Sequence, residues 1–205
     1  MKPKFSIIVP LAPERKIEVT KSIEKLNYSK DKYEVIINIG KNPSINRNLG
    51  IKKAKGEILA FVDDDAIVDK NWLKNAELFF EKYPNIDIVG GPQLTPKTDN
   101  LFAKISGYAM ASFIGTHVMS NRYKKGKLNL NAGANLTSVN LFMKRKIFEK
   151  IKSFNPDLYP GEEIELLERA KSAGFKIAYS PNIIVYHKRR SSLIPFCLQF
   201  FGYGE

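Results

Sequence analysis

Four short apolar runs separated by segments of helical character constrain this chain more than any other feature. They fall at residues 4–9 (KFSIIV), 33–39 (YEVIINI), 57–62 (EILAFV) and 86–89 (IDIV). Each reads as a buried strand, because runs this short fit strands better than core helices. Between them, residues 14–26, 43–55 and 69–83 read as helices. Pro43 suits a first helical turn, Gly56 a C-terminal stop, Asp69 a cap, and Pro84 ends the third helix. Strands alternating with helices argue for an α/β fold, with a mostly parallel central sheet flanked by helices.

The pattern loosens over residues 93–135, a long excursion expected to hold a mobile loop and the basic stretch RYKKGK at 122–127. Regularity returns at 136–143, followed by a helix over 145–151 and another over 162–173 stopped by Gly174. Strand-like FKIAY and IIVYH follow. No repeat, low-complexity linker or boundary interrupts the chain, so its 205 residues are expected to form a single domain.

Charge narrows the partners. Lys and Arg number 33 against 21 Asp and Glu, a net charge of +12. Such an excess favours phosphorylated substrates, nucleic acid or an anionic membrane surface, or simply solvates the protein. No nucleic-acid-binding module is recognisable, so nucleic acid is not expected. Cys197 is the single cysteine, which rules out an intrachain disulfide and fits a reducing compartment. The opening MKPKFSIIVP has too short an apolar run for a signal peptide. No window reaches the roughly 18 apolar residues of a membrane span. The final SLIPFCLQFFGYG is apolar and aromatic. It reads as a packed helix, an interfacial anchor, or the place where a longer chain is cut.

The chemistry concentrates at ILAFVDDDAIVDKNWL, residues 58–73. In open parallel sheets ligands bind outside the carboxyl ends of strands, where Asp63, Asp64 and Asp65 are expected. Clustered carboxylates repel and raise one another's pKa unless a cation offsets them. A divalent ion such as Mg or Mn is the simplest offset, and hard oxygen ligands suit it. The plainer reading is a helix cap, for which one Asp suffices. PGEEIELLERA, residues 160–170, adds Glu162 and Glu163 in a first helical turn, where the helix dipole alone accounts for acidic residues.

FSIIVP near the start, NPSINRNLGIKKAKGEILAFVDDDAIVDKNWL in the middle and the segment from NLFMKRKIFEK through GEEIELLERAKSAGFKIAYSPNIIVYHKRR carry a resemblance over most of the chain. In their order and spacing the sequence resembles the family 2 glycosyltransferases, whose nucleotide-sugar-binding fold is called GT-A. The resemblance implies a Rossmann-like sheet with a smaller acceptor-side portion. The nucleotide-binding half would cover about 1–92, the acceptor-side half about 93–190, and the apolar tail 191–205. It implies a metal-dependent transferase that moves a sugar from a nucleotide-sugar to an acceptor hydroxyl. One visible base and no visible nucleophile fit an inverting single displacement, with retention the alternative. The acceptor would be a glycan or lipid-linked molecule.

Residue by residue, the resemblance makes Asp65 the direct metal ligand, Asp63 a metal or ribose contact and Asp64 a supporting member. Glu163 takes the general-base position with Glu in place of the usual Asp, and Glu162 is the alternative. Arg47 and Asn48 match the family's Arg-Asn at the nucleotide site. Pro10 and Glu14 would border the base. Asn38 stands near where the family often places an Asp that reads it. Gly90 and Gly91 suit the floor of a sugar pocket, or plain turn chemistry. Asn140 matches a polar position facing acceptor or sugar. A lone histidine is more often structural, yet His187 completes a D-x-D-plus-His metal set found in some relatives. Lys188, Arg189 and Arg190 would clamp phosphates or meet anionic lipid. The implied location is cytoplasmic, at the membrane's cytoplasmic face, with peripheral contact through the basic residues and tail. Two other readings stand beside this one. A nucleotidyltransferase also uses strand-end carboxylates, although VPLAPERK lacks the glycine-rich loop it would need. A non-catalytic basic scaffold would bind membrane or nucleic acid.

Overall fold

A computed structural model describes residues 2–202. Residues 203–205, including Glu205 at the end of the expected tail, lie outside the described residues. Among the described residues the strands are β1 (Phe5–Leu11), β2 (Tyr33–Ile39), β3 (Ile58–Phe61), β4 (Ala66–Val68), β5 (Ile88–Gly90), β6 (Gln93–Leu94), β7 (Leu141–Lys144), β8 (Ile177–Tyr179) and β9 (Val185–His187). The helices are α1 (Thr20–Ile23), α2 (Pro43–Lys53), α3 (Trp72–Lys82), α4 (Leu101–Ala111), α5 (Phe113–Thr116), α6 (Ile147–Ile151), α7 (Glu162–Ser172) and α8 (Leu193–Gly202).

The main sheet has six strands in the order β2-β1-β3-β7-β5-β8. β1 runs parallel to β2 and β3, and β5 parallel to β8, while β7 lies antiparallel between β3 and β5. The expected mostly parallel α/β sheet is therefore present. Strands β7 and β8 come from the second half of the chain, so the two halves share one sheet. Alternate residues supply its two faces. Phe5, Ile7 and Val9 pack with Trp72, Leu73 and Ala76 of α3, whereas Ile8, Leu59 and Phe61 pack with Leu166 and Leu167 of α7.

Several elements depart from the sequence expectation. β2 keeps its predicted bounds but is an edge strand, and Val35, Ile37 and Ile39 stand exposed on it. β1 continues through Pro10 to Leu11. The Ile8 carbonyl accepts from Val62 N–H at 3.3 Å, so Pro10, two residues on, faces past the end of β3. Its missing N–H removes no ladder bond there. The helix expected over 14–26 shrinks to α1. The backbone N–H groups of Glu18 and Val19 donate instead to the Asp64 carbonyl, at 2.8 and 2.9 Å. The excursion at 93–135 is more ordered than expected, holding β6, α4, α5 and a 3-10 turn over His117–Arg122.

A second sheet, β4-β9-β6, matters most for the site. β4 pairs antiparallel with β9, with Ala66 opposite His187. The tail forms α8, whose Phe196 ring meets Phe102 of α4 edge-on at 6.1 Å. Leu193, Ile194, Leu198 and Phe201 remain exposed on it. Among the described residues, no helix is long and apolar enough to cross a membrane.

Candidate active site

β3 ends at Phe61 in the middle of the sheet, and the chain then delivers Asp63, Asp64 and Asp65 to three different partners. The Asp63 carboxylate accepts from Arg47 Nη2 at 3.0 Å. Asp64 pairs with Arg15 Nη1 at 3.1 Å. Asp65 binds His187 Nε2 through Oδ1 at 2.9 Å and meets Arg15 Nη2 through Oδ2. Each contact has a local cause. The β4–β9 register sets His187 beside Asp65. The bonds from Glu18 and Val19 to the Asp64 carbonyl draw the segment after β1 across the turn, and Arg15 arrives with it.

Asp64 and Asp65 titrate differently because their surroundings differ. Burial pushes Asp64 up to about 6, with the charge of Arg15 opposing and those of Asp65 and Asp63 adding to the rise. Its Oδ2 is buried without a hydrogen-bond partner. Burial also works to raise Asp65, but the hydrogen bond and charge of His187, helped by Arg15, outweigh it. They hold that carboxyl well below the usual carboxylate range.

The opposite wall is the start of α7. Gly161 precedes it with φ at +122°, a backbone conformation that favours glycine. Glu162 is buried, accepting from Arg47 Nη1 at 2.7 Å and from the Gly161 N–H at 3.1 Å. Glu163 stands 4.0 Å from Arg122 Nη1. Burial raises its pKa, the neighbouring charge of Glu162 adds to this, and Arg122 opposes it. Between the walls lies a cavity of about 570 Å3, lined by Pro10, Arg15, Arg47, Asp63, Asp64, Glu162, Glu163, His187 and Arg189 among others. Asp65 touches it through its partners Arg15 and His187.

The structure thus brings most of the acidic and basic candidates to one cavity and leaves others off it. Asn48 is spent on the backbone of Phe154, donating to its carbonyl at 2.8 Å and accepting from its N–H at 3.0 Å. Asn38 accepts from Lys53 Nζ at 2.8 Å and is buried away from the cavity lining. Asn140 is fully buried, accepting from Trp72 Nε1 at 2.9 Å and donating to the carbonyls of Pro92 and Ile183 at 3.1 and 2.8 Å. It joins α3 to both sheets. A Cβ on Gly90 would come within 3.0 Å of the Asn140 carbonyl, and Gly91 is pressed against the Ile183 carbonyl. Both glycines therefore serve close backbone packing, although Gly91 also borders a second cavity. Glu14 and Arg190 are exposed and off the lining, and Lys188 pairs with Glu18 at 2.6 Å. The sequence reading missed Arg15 and Arg122. The only signals for them were proximity to Glu14 and membership of the RYKKGK stretch.

Asp63, Asp65 and His187 each offer a ligand atom, and these atoms lie within 4.8 Å of one another. Two carboxylate oxygens and one imidazole nitrogen fit a divalent ion. Arg15 and Arg47 neutralise the same carboxylates.

A mostly parallel sheet with carboxylates at the end of its central strand, facing a second acidic pair across one cavity, defines the GT-A glycosyltransferase class. The profile of Glycosyl transferase family 2 matches residues 13–152, and the chain belongs to that family. Glycosyltransferase AglE of Haloferax volcanii is 26% identical over 144 residues, covering 70% of this chain and 43% of AglE. The Methanococcus voltae dolichyl N-acetyl-alpha-D-glucosaminyl phosphate 3-beta-D-2,3-diacetamido-2,3-dideoxy-beta-D-glucuronosyltransferase is 23% identical over 236 residues, covering 98% of this chain and 71% of that protein. Among solved structures, mannosyltransferase PcManGT of Pyrobaculum calidifontis, in complex with GDP-Man and Mn2+, aligns with a TM-score of 0.69 at 15% identity. That alignment covers 99% of this chain and 61% of PcManGT. S. aureus TarS 1-349 aligns with a TM-score of 0.66 at 18% identity, covering 90% of this chain and 60% of that TarS fragment. At these identities the structural likeness shows the fold alone. The chain spans less than half of AglE and about three-fifths of the TarS structure.

Proposed function

We propose that this domain transfers a sugar from a nucleotide-sugar donor to a hydroxyl of a glycan or lipid-linked acceptor, with inversion. One observation carries the reading: Glu163, a carboxylate whose affinity for protons is raised by burial, shares a cavity with the D-x-D turn. Glu163 Oε1 takes the proton of the attacking acceptor hydroxyl, and its raised pKa makes it a stronger base. Glu162 is committed to Arg47 and the Gly161 N–H and positions the turn from which Glu163 projects. Asp63, Asp65 and His187 would hold the divalent ion, which when bound neutralises the growing charge of the nucleoside diphosphate leaving group. Arg15, Arg47 and Arg189 line the same cavity and supply fixed positive charge around the donor phosphates. One base and no covalent nucleophile in the proposed set fit a single displacement.

The names of the relatives support the substrate classes. PcManGT is described with GDP-Man and Mn2+, and the Methanococcus voltae relative is named for a dolichyl phosphate-linked sugar acceptor. Peripheral attachment at the cytoplasmic face of a membrane belongs to the same proposal. It rests on the exposed apolar residues of α8 and the preceding basic Lys188–Arg190 stretch. Family membership supports the glycosyltransferase reading over the nucleotidyltransferase and scaffold alternatives.

The test is calorimetric titration of UDP, GDP, CDP and dTDP, each with Mn and with EDTA, on the wild type and on Asp65→Ala. Binding of one nucleotide that needs the metal and is lost in the variant is the expected result. Failure of every nucleotide to bind a folded sample would reject the reading.

A further inference from the structure

Behind Arg122 lies a second cavity, of about 390 Å3, that the donor chemistry does not use. Its described lining carries four basic side chains, His117, Arg122, Lys124 and Lys127, and no carboxylate. That contrasts with the first cavity, whose lining holds four carboxylates, Asp63, Asp64, Glu162 and Glu163. A concave surface of one sign concentrates counter-charged ligands. The frame is also fixed. The Tyr179 hydroxyl donates to the Lys124 carbonyl at 2.9 Å and accepts from the Gly126 N–H at 3.1 Å. Asn129 and Tyr179 exchange backbone hydrogen bonds at 3.1 and 2.7 Å. The turn bearing Lys124 and Lys127 is thereby tied to β8.

Arg122 connects this cavity to the reacting centre. Its Nε and Nη2 donate to the carbonyls of Asn135 and Leu136 at 2.9 and 2.8 Å, while Nη1 stands 4.0 Å from Glu163. Arg122 and Thr137 line both cavities. An anion in the second cavity therefore sits one guanidinium away from the proposed base. At its edge are apolar groups: Phe113, exposed and stacked near His117 at 4.3 Å, with Ile114 exposed beside it.

We infer that the second cavity binds the phosphate of a phosphate-bearing acceptor, so that a sugar hydroxyl of the same molecule reaches Glu163. This rests on the glycosyltransferase reading and names its acceptor class. The phosphate comes either from a soluble sugar phosphate or from a lipid-linked one, whose chain would leave past Phe113 and Ile114.

The experiment titrates glucose, glucose 1-phosphate, inorganic phosphate and octyl phosphate into the wild type and into the double variant Lys124→Ser/Lys127→Ser. The donor site is first saturated with Mn and the nucleoside diphosphate that binds. Both lysines are exposed, so the variant is expected to fold. Glucose 1-phosphate should bind more tightly than glucose and lose about tenfold in the variant, as charge-assisted contacts disappear. Affinity for the nucleoside diphosphate should be unchanged. Octyl phosphate binding tighter than inorganic phosphate would identify the lipid-linked source, and equal binding the soluble one. Glucose 1-phosphate binding no tighter than glucose, or equally well in both proteins, overturns the inference. It does so while metal-dependent nucleotide binding, read on the same samples, still stands for the function. If no nucleotide binds, the function reading fails, and the phosphate titrations are read without donor.

Discussion

Arg47 stands between Asp63 and Glu162, donating to the first at 3.0 Å and to the second at 2.7 Å, with 3% of its surface exposed. One cation thus joins carboxylates on opposite walls of the cavity, and its guanidinium lies over the Phe154 ring at 5.6 Å. Arg47→Met would leave Glu162 buried without its partner, which costs about 3–5 kcal/mol. Arg47→Met combined with Glu162→Gln should recover much of that loss, because the buried charge of Glu162 is gone and the other partner, Asp63, is partly exposed to solvent. Urea unfolding of the three proteins checks this, and a single-variant cost under about 1 kcal/mol would show that the bridge behaves as a surface pair.

Arg15 occupies Asp65, one of the two carboxylates that a divalent ion would need, and pairs with Asp64 beside it. Arg15→Ala should therefore tighten Mn binding by about threefold to tenfold, since a competing cation is removed. Asp65→Ala and His187→Ala should weaken it by at least about tenfold, each removing one ligand atom. Electron paramagnetic resonance of free Mn gives all four affinities without an activity assay. Weaker Mn binding in Arg15→Ala would mean that the arginine supports the ion instead of competing with it.

Glu163→Gln is expected to lower kcat by about 10²–10⁴ while leaving nucleotide affinity unchanged. The wild-type pH profile carries the finer prediction. Burial and the charge of Glu162 raise the Glu163 pKa, so the base is still protonated at pH values where an ordinary glutamate is ionised. Activity should rise with pH through that raised value, placing the acidic limb of kcat/KM above the ordinary carboxylate range. Arg122→Gln removes the opposing cation and should move the limb to still higher pH. A limb at the ordinary glutamate value would remove Glu163 from the role.

Asn140→Leu separates packing from substrate contact. The change strands the Trp72 N–H and the carbonyls of Pro92 and Ile183 in the interior, at a cost of about 3 kcal/mol. Thermal unfolding should show a large drop in Tm. Unchanged stability with a raised KM for acceptor would instead make Asn140 a substrate residue.

The sheet was legible because its longer strands carry continuous apolar runs; residues 33–39 kept their bounds even though β2 proved to be an edge strand. What hid from the sequence was set by tertiary pairing. β4, β6 and β9 have two or three residues each, too few to show a period, and form because they pair with one another. The helix expected over 14–26 lost most of its length to two bonds from its backbone to the Asp64 carbonyl. In the site, the acidic residues stood out as clusters after apolar runs. Arg15 and Arg122 did not, because single arginines in a chain with 33 Lys and Arg carry no local signal. Asn48 and Asn140 matched family positions, yet nothing in a sequence distinguishes an amide facing a ligand from one holding a buried backbone.

The β4–β9 pairing makes the Asp65–His187 contact a matter of counting. Three residues on each strand set Ala66 opposite His187, and side chains alternate faces along a strand. Deleting one residue between Asp65 and Val68 would shift Asp65 by one position against β9 and carry its carboxylate away from the imidazole, without altering either side chain. In an alignment of homologues, the integrity of this corner is therefore written in the positions of the gaps, and a copy retaining both residues at the wrong spacing has lost the pair.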